Sequence, residues 1–210
     1  MIGMATSLLS IEDRTALVQA GKRLQYFTIF WNSLEALVAL ISGLIAGSIS
    51  LVGFGFDSVI EVTSGAAVLW RMHLDAPEQR ARAERISLRI VGGCFIALAV
   101  YIVVDALKSL YGHEQPSRSI PGMVLAVVSL VVMPVLSRSK RRVGRQLSSH
   151  AMQADATQTQ FCTYLSAILL FGLTANWLLN WWWADSVAAL VMVPLIAREG
   201  INGLRARACC

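Results

Sequence analysis

Charged side chains are scarce in this chain. They make up only 15% of the 210 residues, whereas 56% are hydrophobic and the mean hydropathy is +0.60. A soluble domain of this size has no need for so many apolar residues. The alternation of apolar and polar residues that a transmembrane β-barrel requires is also missing, and apolar runs such as 124–133 are continuous. The composition therefore predicts an all-α integral membrane protein.

Cysteine is also sparse, with four residues in the chain. Cys94 and Cys162 fall within apolar segments, while Cys209 and Cys210 are the last two residues, so no disulfide framework is expected. The terminal pair is open to three interpretations, namely an inert tail, acylation or metal hand-off. Residues 1–24 are polar and charged and lack the apolar run of a cleavable signal peptide. We therefore expect the first membrane span to act as the targeting signal.

Apolar segments of about 20 residues, long enough to cross roughly 30 Å of hydrocarbon as a helix, recur along the chain. They lie at residues 25–46, 51–70, 88–110, 120–137, 156–176 and 183–198. This pattern predicts a cytoplasmic N-terminal segment (1–24), a transmembrane domain of six helices (25–198) and a short cytoplasmic tail (199–210).

Basic residues are distributed unevenly between the two sides of these spans. Of the 18 Lys and Arg residues, all but Lys108 and Arg118 fall on the side that carries both chain ends. The positive-inside rule therefore predicts cytoplasmic termini for a multi-pass protein of the cell membrane, the inner membrane if the cell is Gram-negative. Topology explains the basic balance, so no nucleic-acid partner is expected. The basic segment 137–150 is either a flexible connection or an extension of the helices on each side.

Acidic residues number only thirteen, yet six lie within or at the borders of the predicted spans. These six are Glu35, Asp57, Glu61, Asp105, Asp155 and Asp185. Since no Lys or Arg falls deep within a predicted span, we expect protons, backbone donors or an external cation to neutralise them. Helix capping or an interhelical hydrogen bond is the ordinary role for the three border aspartates.

Asp57 and Glu61 form the most informative pair. They lie four residues apart in the second span, so their side chains share one helical face. Two carboxylates in hydrocarbon are too costly to be kept for packing alone. A divalent cation can bind between them, and a proton is the alternative occupant.

A second polar stripe lies on the fifth span, where Asp155, Gln158 and Cys162 are offset by three and then four residues. Counting about 1.5 Å per residue from the span ends places this stripe within about one helical turn of the depth of Glu61. The two stripes can therefore face each other. On the first span, Asn32 and Glu35 also share a face, where they would orient the acidic pair, carry protons or form structural hydrogen bonds.

The stretches 31–65, 154–166 and 181–196 resemble the cation diffusion facilitators, a family of six-helix transporters that export divalent metals, usually in exchange for protons. In that family two positions of the second span and a His-x-x-x-Asp pair of the fifth span form the transport site. The resemblance maps them to Asp57, Glu61, Gln158 and Cys162. Gln replaces His and Cys replaces Asp, which makes the site softer and less negative, and Asp155 is a candidate to compensate.

The resemblance also implies a homodimer, and the short tail indicates the branch that lacks a cytoplasmic metal-binding domain. Two carboxylates and a thiolate favour Zn²⁺ as the transported ion, with iron(II), cobalt, cadmium and manganese as alternatives. Asp105 and Asp185 join Asn32 and Glu35 as candidates for proton transfer. No resident cofactor and no enzymatic activity are expected, because Gly53-Phe54-Gly55-Phe56-Asp57 does not fit the motif of an intramembrane aspartyl protease. A membrane scaffold that binds metal without transporting it is the alternative function.

Overall fold

The computed structural model describes residues 11–72, 77–113 and 116–205, and in these ranges it contains six long helices and no β-strand. The helices are α1 (Ile11–Ala46), α2 (Ile49–Met72), α3 (Pro77–Gly112), α4 (Ile120–Gln146), α5 (His150–Leu179) and α6 (Ala184–Leu204). Each is long and apolar enough to cross a membrane. The prediction of an all-α, six-helix membrane protein is confirmed. The cytoplasmic location of the termini stays a prediction, and Cys209 and Cys210 lie outside the described residues.

The bundle has an apolar exterior, and its interior holds buried polar residues together with an apolar core. Glu35 and Glu61 are completely buried, whereas Leu44 and Ile45 are 73% and 80% exposed. In lipid this is the favourable arrangement, because apolar side chains can face hydrocarbon while polar groups find partners between helices. The buried polar residues are therefore the place to look for function.

Three helix pairs make the most extensive contacts, α1 with α2, α3 with α6 and α4 with α5. Helix α2 also packs on α3, α5 and α6, and it has the largest buried share of the six spans. Small residues permit the close crossings. A Cβ atom at Gly92 of α3 would lie 2.6 Å from the backbone nitrogen of Leu204 and 2.7 Å from the carbonyl oxygen of Gly200 on α6. The central position of α2 places its acidic pair inside the bundle.

Helix α4 extends beyond its apolar segment, which is one of the two interpretations that the sequence leaves open for residues 137–150. The apolar segment suggests a span that ends at residue 137, but the helix continues to Gln146, so the basic residues of 138–145 are helical rather than part of a flexible connection. Lys140 faces inward and is completely buried. The expectation that only protons, backbone donors or an external cation neutralise the acidic residues is therefore wrong for Asp155, which pairs with Lys140. Hydropathy places the end of a span at the first charge, whereas a helix can bury a lysine that has acidic partners.

Candidate metal site

The acidic pair of α2 meets the cysteine of α5 at the centre of the bundle. The sulfur of Cys162 lies 2.9 Å from Asp57 Oδ2 and 2.7 Å from Glu61 Oε2, so the two carboxyl groups share its single thiol proton. All three side chains are buried, and even Asp57, the most exposed of them, is only 3% exposed. The four-residue spacing places both carboxylates on one face of α2, so both reach the same sulfur on α5. Two carboxyl groups of α2 and one thiol of α5, each of which can become an anion, thus share one small volume.

Thr159 and Lys140 complete the surroundings of Glu61. The Thr159 hydroxyl donates to Glu61 Oε1, the carboxylate oxygen that does not contact Cys162. The ammonium of Lys140 donates to Thr159 Oγ1 at 2.9 Å and lies 3.9 Å from Glu61 Oε1. Helix α4 thereby supplies a positive charge to the polar cluster formed by α2 and α5.

Asp155 lies apart from Asp57 and faces α1 and α4. Its Oδ2 atom accepts from Gln25 Nε2 at 2.6 Å and is 2.8 Å from Lys140 Nζ. Its Oδ1 atom has no hydrogen-bond partner among the described residues. Asp155 is therefore the counter-ion of Lys140 in this arrangement, while Cys162 is the α5 residue in contact with the acidic pair.

The side chain of Gln158 lines a small pocket beside Asp57. The pocket lies between α2, α3, α5 and α6, and its polar lining consists of Asp57, Gln158 and Glu199 among apolar side chains such as Phe95 and Leu195. The amide nitrogen of Gln158 has no hydrogen-bond partner among the residues that the structure describes. Glu199 lies near the C-terminal end of α6 and is only partly buried. The pocket thus runs from Asp57 toward the end of the bundle that is predicted to be cytoplasmic.

Glu35 and Asn32 lie on the α1 side of α2. The carboxylate of Glu35 accepts from Ser58 of α2 at 2.9 Å and from Ser129 of α4. Both polar atoms of the Asn32 side chain are buried and lack a hydrogen-bond partner within the described ranges. On α1, Asn32 lies between Glu35, which contacts Ser58, and Ile29, which lies close to Gly65. It is therefore at the level of Glu61.

The two remaining acidic candidates have partners outside the cluster of Asp57, Glu61 and Cys162. Asp185 of α6 accepts from Ser48 Oγ at 2.6 Å and from the backbone nitrogen of Ile49 at 2.8 Å, the first residue of α2. Asp105 of α3 is only partly buried and accepts from Tyr101 of the same helix at 3.3 Å. The structure thus places Asp185 as a cap of α2 and Asp105 near the surface of the bundle.

The arrangement brings three potential metal ligands together without an open position for an ion between them. Cys162 contacts both Asp57 and Glu61, and among the residues described no three His, Cys, Asp or Glu side chains already surround a place for an ion. A cation would have to replace the thiol proton and the hydrogen bonds that it makes. Carboxylate and thiol groups release protons when they bind a metal, so an exchange of metal for protons fits this chemistry.

Lys140, Thr159 and Glu199 were missed by the sequence analysis. The buried positions of α4 recur every three or four residues, and they include Ser129, Met133, Leu136, Ser137, Lys140 and Gly144. This helical period, continued past the apolar segment, would have placed Lys140 on the inner face. Thr159 follows Asp155 by four residues and shares its face. Glu199 lies one residue beyond the predicted end of the sixth span, and no sequence signal connects it with Asp57.

Comparison with known proteins agrees with this architecture. The sequence model of the cation efflux transmembrane domain matches residues 26–206. The chain belongs to this family, and it is a multi-pass membrane protein.

Several curated proteins are similar to the chain. It is 22% identical over 193 residues to the uncharacterized transporter YdbO of Bacillus subtilis. The aligned region covers 89% of this chain and 66% of that protein. It is 26% identical over 204 residues to the manganese efflux system protein MneP of Bacillus subtilis, or 89% of this chain and 67% of that protein. Identity to transmembrane protein 163 of Xenopus laevis is 26% over 168 residues, or 80% and 60% of the two chains. The chain thus spans between 60% and 67% of the length of these relatives.

Proposed function

We propose that this protein exports divalent metal ions across the membrane through a site formed by Asp57, Glu61 and Cys162. The observation that carries the proposal is the buried contact of the Cys162 thiol with both carboxylates, at 2.9 and 2.7 Å. A cluster of this kind is costly inside a bilayer, and a doubly charged ion neutralises two carboxylates. Membership of the cation efflux family supports the same activity.

Zn²⁺ is the first candidate for the transported ion. A thiolate and two carboxylates are donors that Zn²⁺ accepts in tetrahedral coordination, and Gln158 Oε1 or water would be the fourth ligand. Gln158 lies beside Asp57 in the pocket, which supports this role. Asp155 is a weaker candidate for a ligand than the sequence suggests, because Lys140 and Gln25 already bind one of its oxygens.

Mn²⁺ is the second candidate, because two relatives from Bacillus subtilis, MneS and MneP, are named as manganese efflux proteins. Mn²⁺ prefers oxygen ligands, so the thiol of Cys162 is the feature that favours Zn²⁺ over Mn²⁺ here. Proton exchange is part of the proposal, because a metal that enters the cluster displaces protons and protons that return release the metal. The pocket between Asp57 and Glu199 supports an approach from the predicted cytoplasmic side.

The test is uptake of Zn²⁺ and Mn²⁺ into proteoliposomes with an imposed pH gradient, followed with a metal-sensitive dye inside. The wild type should move at least one of the two ions, and the acidification or alkalinisation caused by metal movement should be detected with a pH dye. Asp57→Ala and Glu61→Ala should each abolish flux while the protein still folds and inserts. Thr63→Val is the matched control, because Thr63 lies on α2 but is exposed and donates only to its own helix at the Val59 carbonyl.

Metal binding without flux would contradict the proposal and favour a membrane scaffold. Normal flux in the Asp57→Ala/Glu61→Ala double variant would show that these residues do not form the transport site. Flux that proceeds equally with and without a proton gradient, and without any pH change, would refute the exchange of metal for protons.

A further inference from the structure

A positive charge is buried beside the proposed metal site. The ammonium of Lys140 is completely buried and lies 2.8 Å from Asp155 Oδ2 and 3.9 Å from Glu61 Oε1. A buried lysine is costly unless acidic and polar partners surround it. Among the described residues these partners come from α2 and α5, the two helices that also supply the proposed metal ligands.

The oxygen atoms around Lys140 form a second place for a cation. Asp155 contributes Oδ2 and Thr159 contributes Oγ1 at 2.9 Å. Asp155 Oδ1 and Gln25 Oε1 are buried and have no hydrogen-bond partner among the described residues. More oxygen is thus available than the single ammonium uses. Oxygen donors of this kind are the ligands that hard divalent ions prefer.

Glu61 lies between the two cation positions. Its Oε2 atom contacts Cys162 in the proposed metal site, and its Oε1 atom accepts from Thr159 and faces Lys140. The three carboxylates of the cluster carry three negative charges when they are ionised. Lys140 balances the charge of Asp155, which leaves the carboxylates of Asp57 and Glu61 and the thiolate of Cys162 for one divalent ion.

We propose that Lys140 is a tethered counter-cation that fills the position beside Asp155 and thereby restricts the cluster to one divalent ion, bound by Asp57, Glu61 and Cys162. Asp155 then has a defined role as a positioning residue, because it holds the ammonium away from Glu61. This inference depends on the proposed metal site. It adds that Asp155 acts on metal binding through Lys140 and does not contact the ion.

A double-mutant cycle of Lys140 and Asp155 tests the counter-cation role. Zn²⁺ and Mn²⁺ are titrated into the purified full chain in detergent, and the ion content per chain is measured by elemental analysis. Asp155→Asn releases Lys140, whose ammonium then pairs with Glu61 and competes with the ion, so metal affinity should fall at least tenfold. Lys140→Met/Asp155→Asn removes the competing charge together with its counter-ion. Affinity should return to within threefold of the wild type, with one ion bound.

Two single variants complete the measurement. Lys140→Met leaves three carboxylates without an internal cation and should bind a second divalent ion per chain. Lys108→Met is the matched control, because Lys108 is exposed, and it should bind one ion with the wild-type affinity. Thermal unfolding of each variant, measured without metal, separates loss of binding from loss of fold.

The outcomes distinguish this inference from the proposed function. If the double variant binds as weakly as Asp155→Asn, Asp155 is itself a metal ligand and the counter-cation role is overturned, although the metal site stands. If Asp155→Asn binds metal as well as the wild type, Asp155 neither binds the ion nor restrains Lys140, and the counter-cation role is again overturned. If Lys140→Met does not fold, the comparison of Asp155→Asn with the double variant still decides. A wild-type protein that binds neither ion would refute the proposed function itself.

Discussion

Asp185 offers a stability prediction whose size follows from its contacts. Its side chain is 1% exposed and accepts from the hydroxyls of Ser48 and Ser50 and from the backbone nitrogens of Ile49 and Ser50, the last at 3.4 Å. Asp185→Ala removes the acceptor of these donors at the start of α2, where as donors the two hydroxyls keep only their mutual contact at 3.4 Å. At about 1 kcal/mol for each of the three closer bonds, the free energy of unfolding should fall by about 3 kcal/mol.

Asp185→Asn should cost less, because it keeps one acceptor oxygen for the serine hydroxyls. Its amide group would face the backbone N–H of Ile49 with donor against donor, so we expect a loss of about 2 kcal/mol. The assay is reversible unfolding in mixed detergent micelles, with metal flux per folded molecule measured on the same preparations. Flux per folded molecule should stay within about twofold of the wild type, since a cap supports α2 without carrying protons.

Two results would refute this account of Asp185. A stability of Asp185→Ala within about 1 kcal/mol of the wild type would show that the cap contributes little. Proton-coupled flux that disappears in Asp185→Asn at wild-type stability would show that the carboxyl group carries protons, which is the other role that the sequence suggests for this position.

Three further predictions concern the site and its scaffold. Cys162→Ser should shift the preference in competitive flux away from Cd²⁺ and Zn²⁺. Cys162→Asp should shift it toward Mn²⁺, because the site then holds only oxygen donors. An unchanged selectivity series in both variants would mean that the thiol only fills space. Glu199→Gln should raise the KM for metal several-fold with little change in the maximal rate, because Glu199 lines the pocket beside Asp57 but does not belong to the proposed ligands. A fall in maximal rate at unchanged KM would contradict this role. Gly92→Val should lower the free energy of unfolding by about 2 kcal/mol, because the Cβ of valine would meet backbone atoms of α6. A thermal unfolding curve like that of the wild type would contradict the close crossing of α3 and α6.

Helix number and class could be predicted from the sequence, because both follow from properties that a chain carries locally. An apolar run of sufficient length has to become a helix in lipid, where its backbone finds no other hydrogen-bond partners. The four-residue spacing of Asp57 and Glu61 likewise places both on one face before any packing is known. The same periodicity applies to Asp155, Gln158 and Cys162, which are all buried on α5.

Partners within the site could not be predicted in this way. The sequence groups Asp155, Gln158 and Cys162 as one set of candidate ligands, yet each faces a different neighbour. Cys162 contacts the acidic pair, Asp155 pairs with Lys140, and Gln158 lines the pocket near Glu199. A helical face is wide enough to meet several helices, and which one a side chain meets depends on how the helices cross.

The sequence alone determined that acidic residues enter the membrane on the second helix, since hydropathy and helical period are local properties. Only the tertiary structure decided what balances their charge. Lys140 lies in a segment that hydropathy assigns to a connection, and it becomes a buried cation because α4 continues and packs on α5. The energy of a buried charge depends on the groups around it, and these come from helices that are distant in the chain.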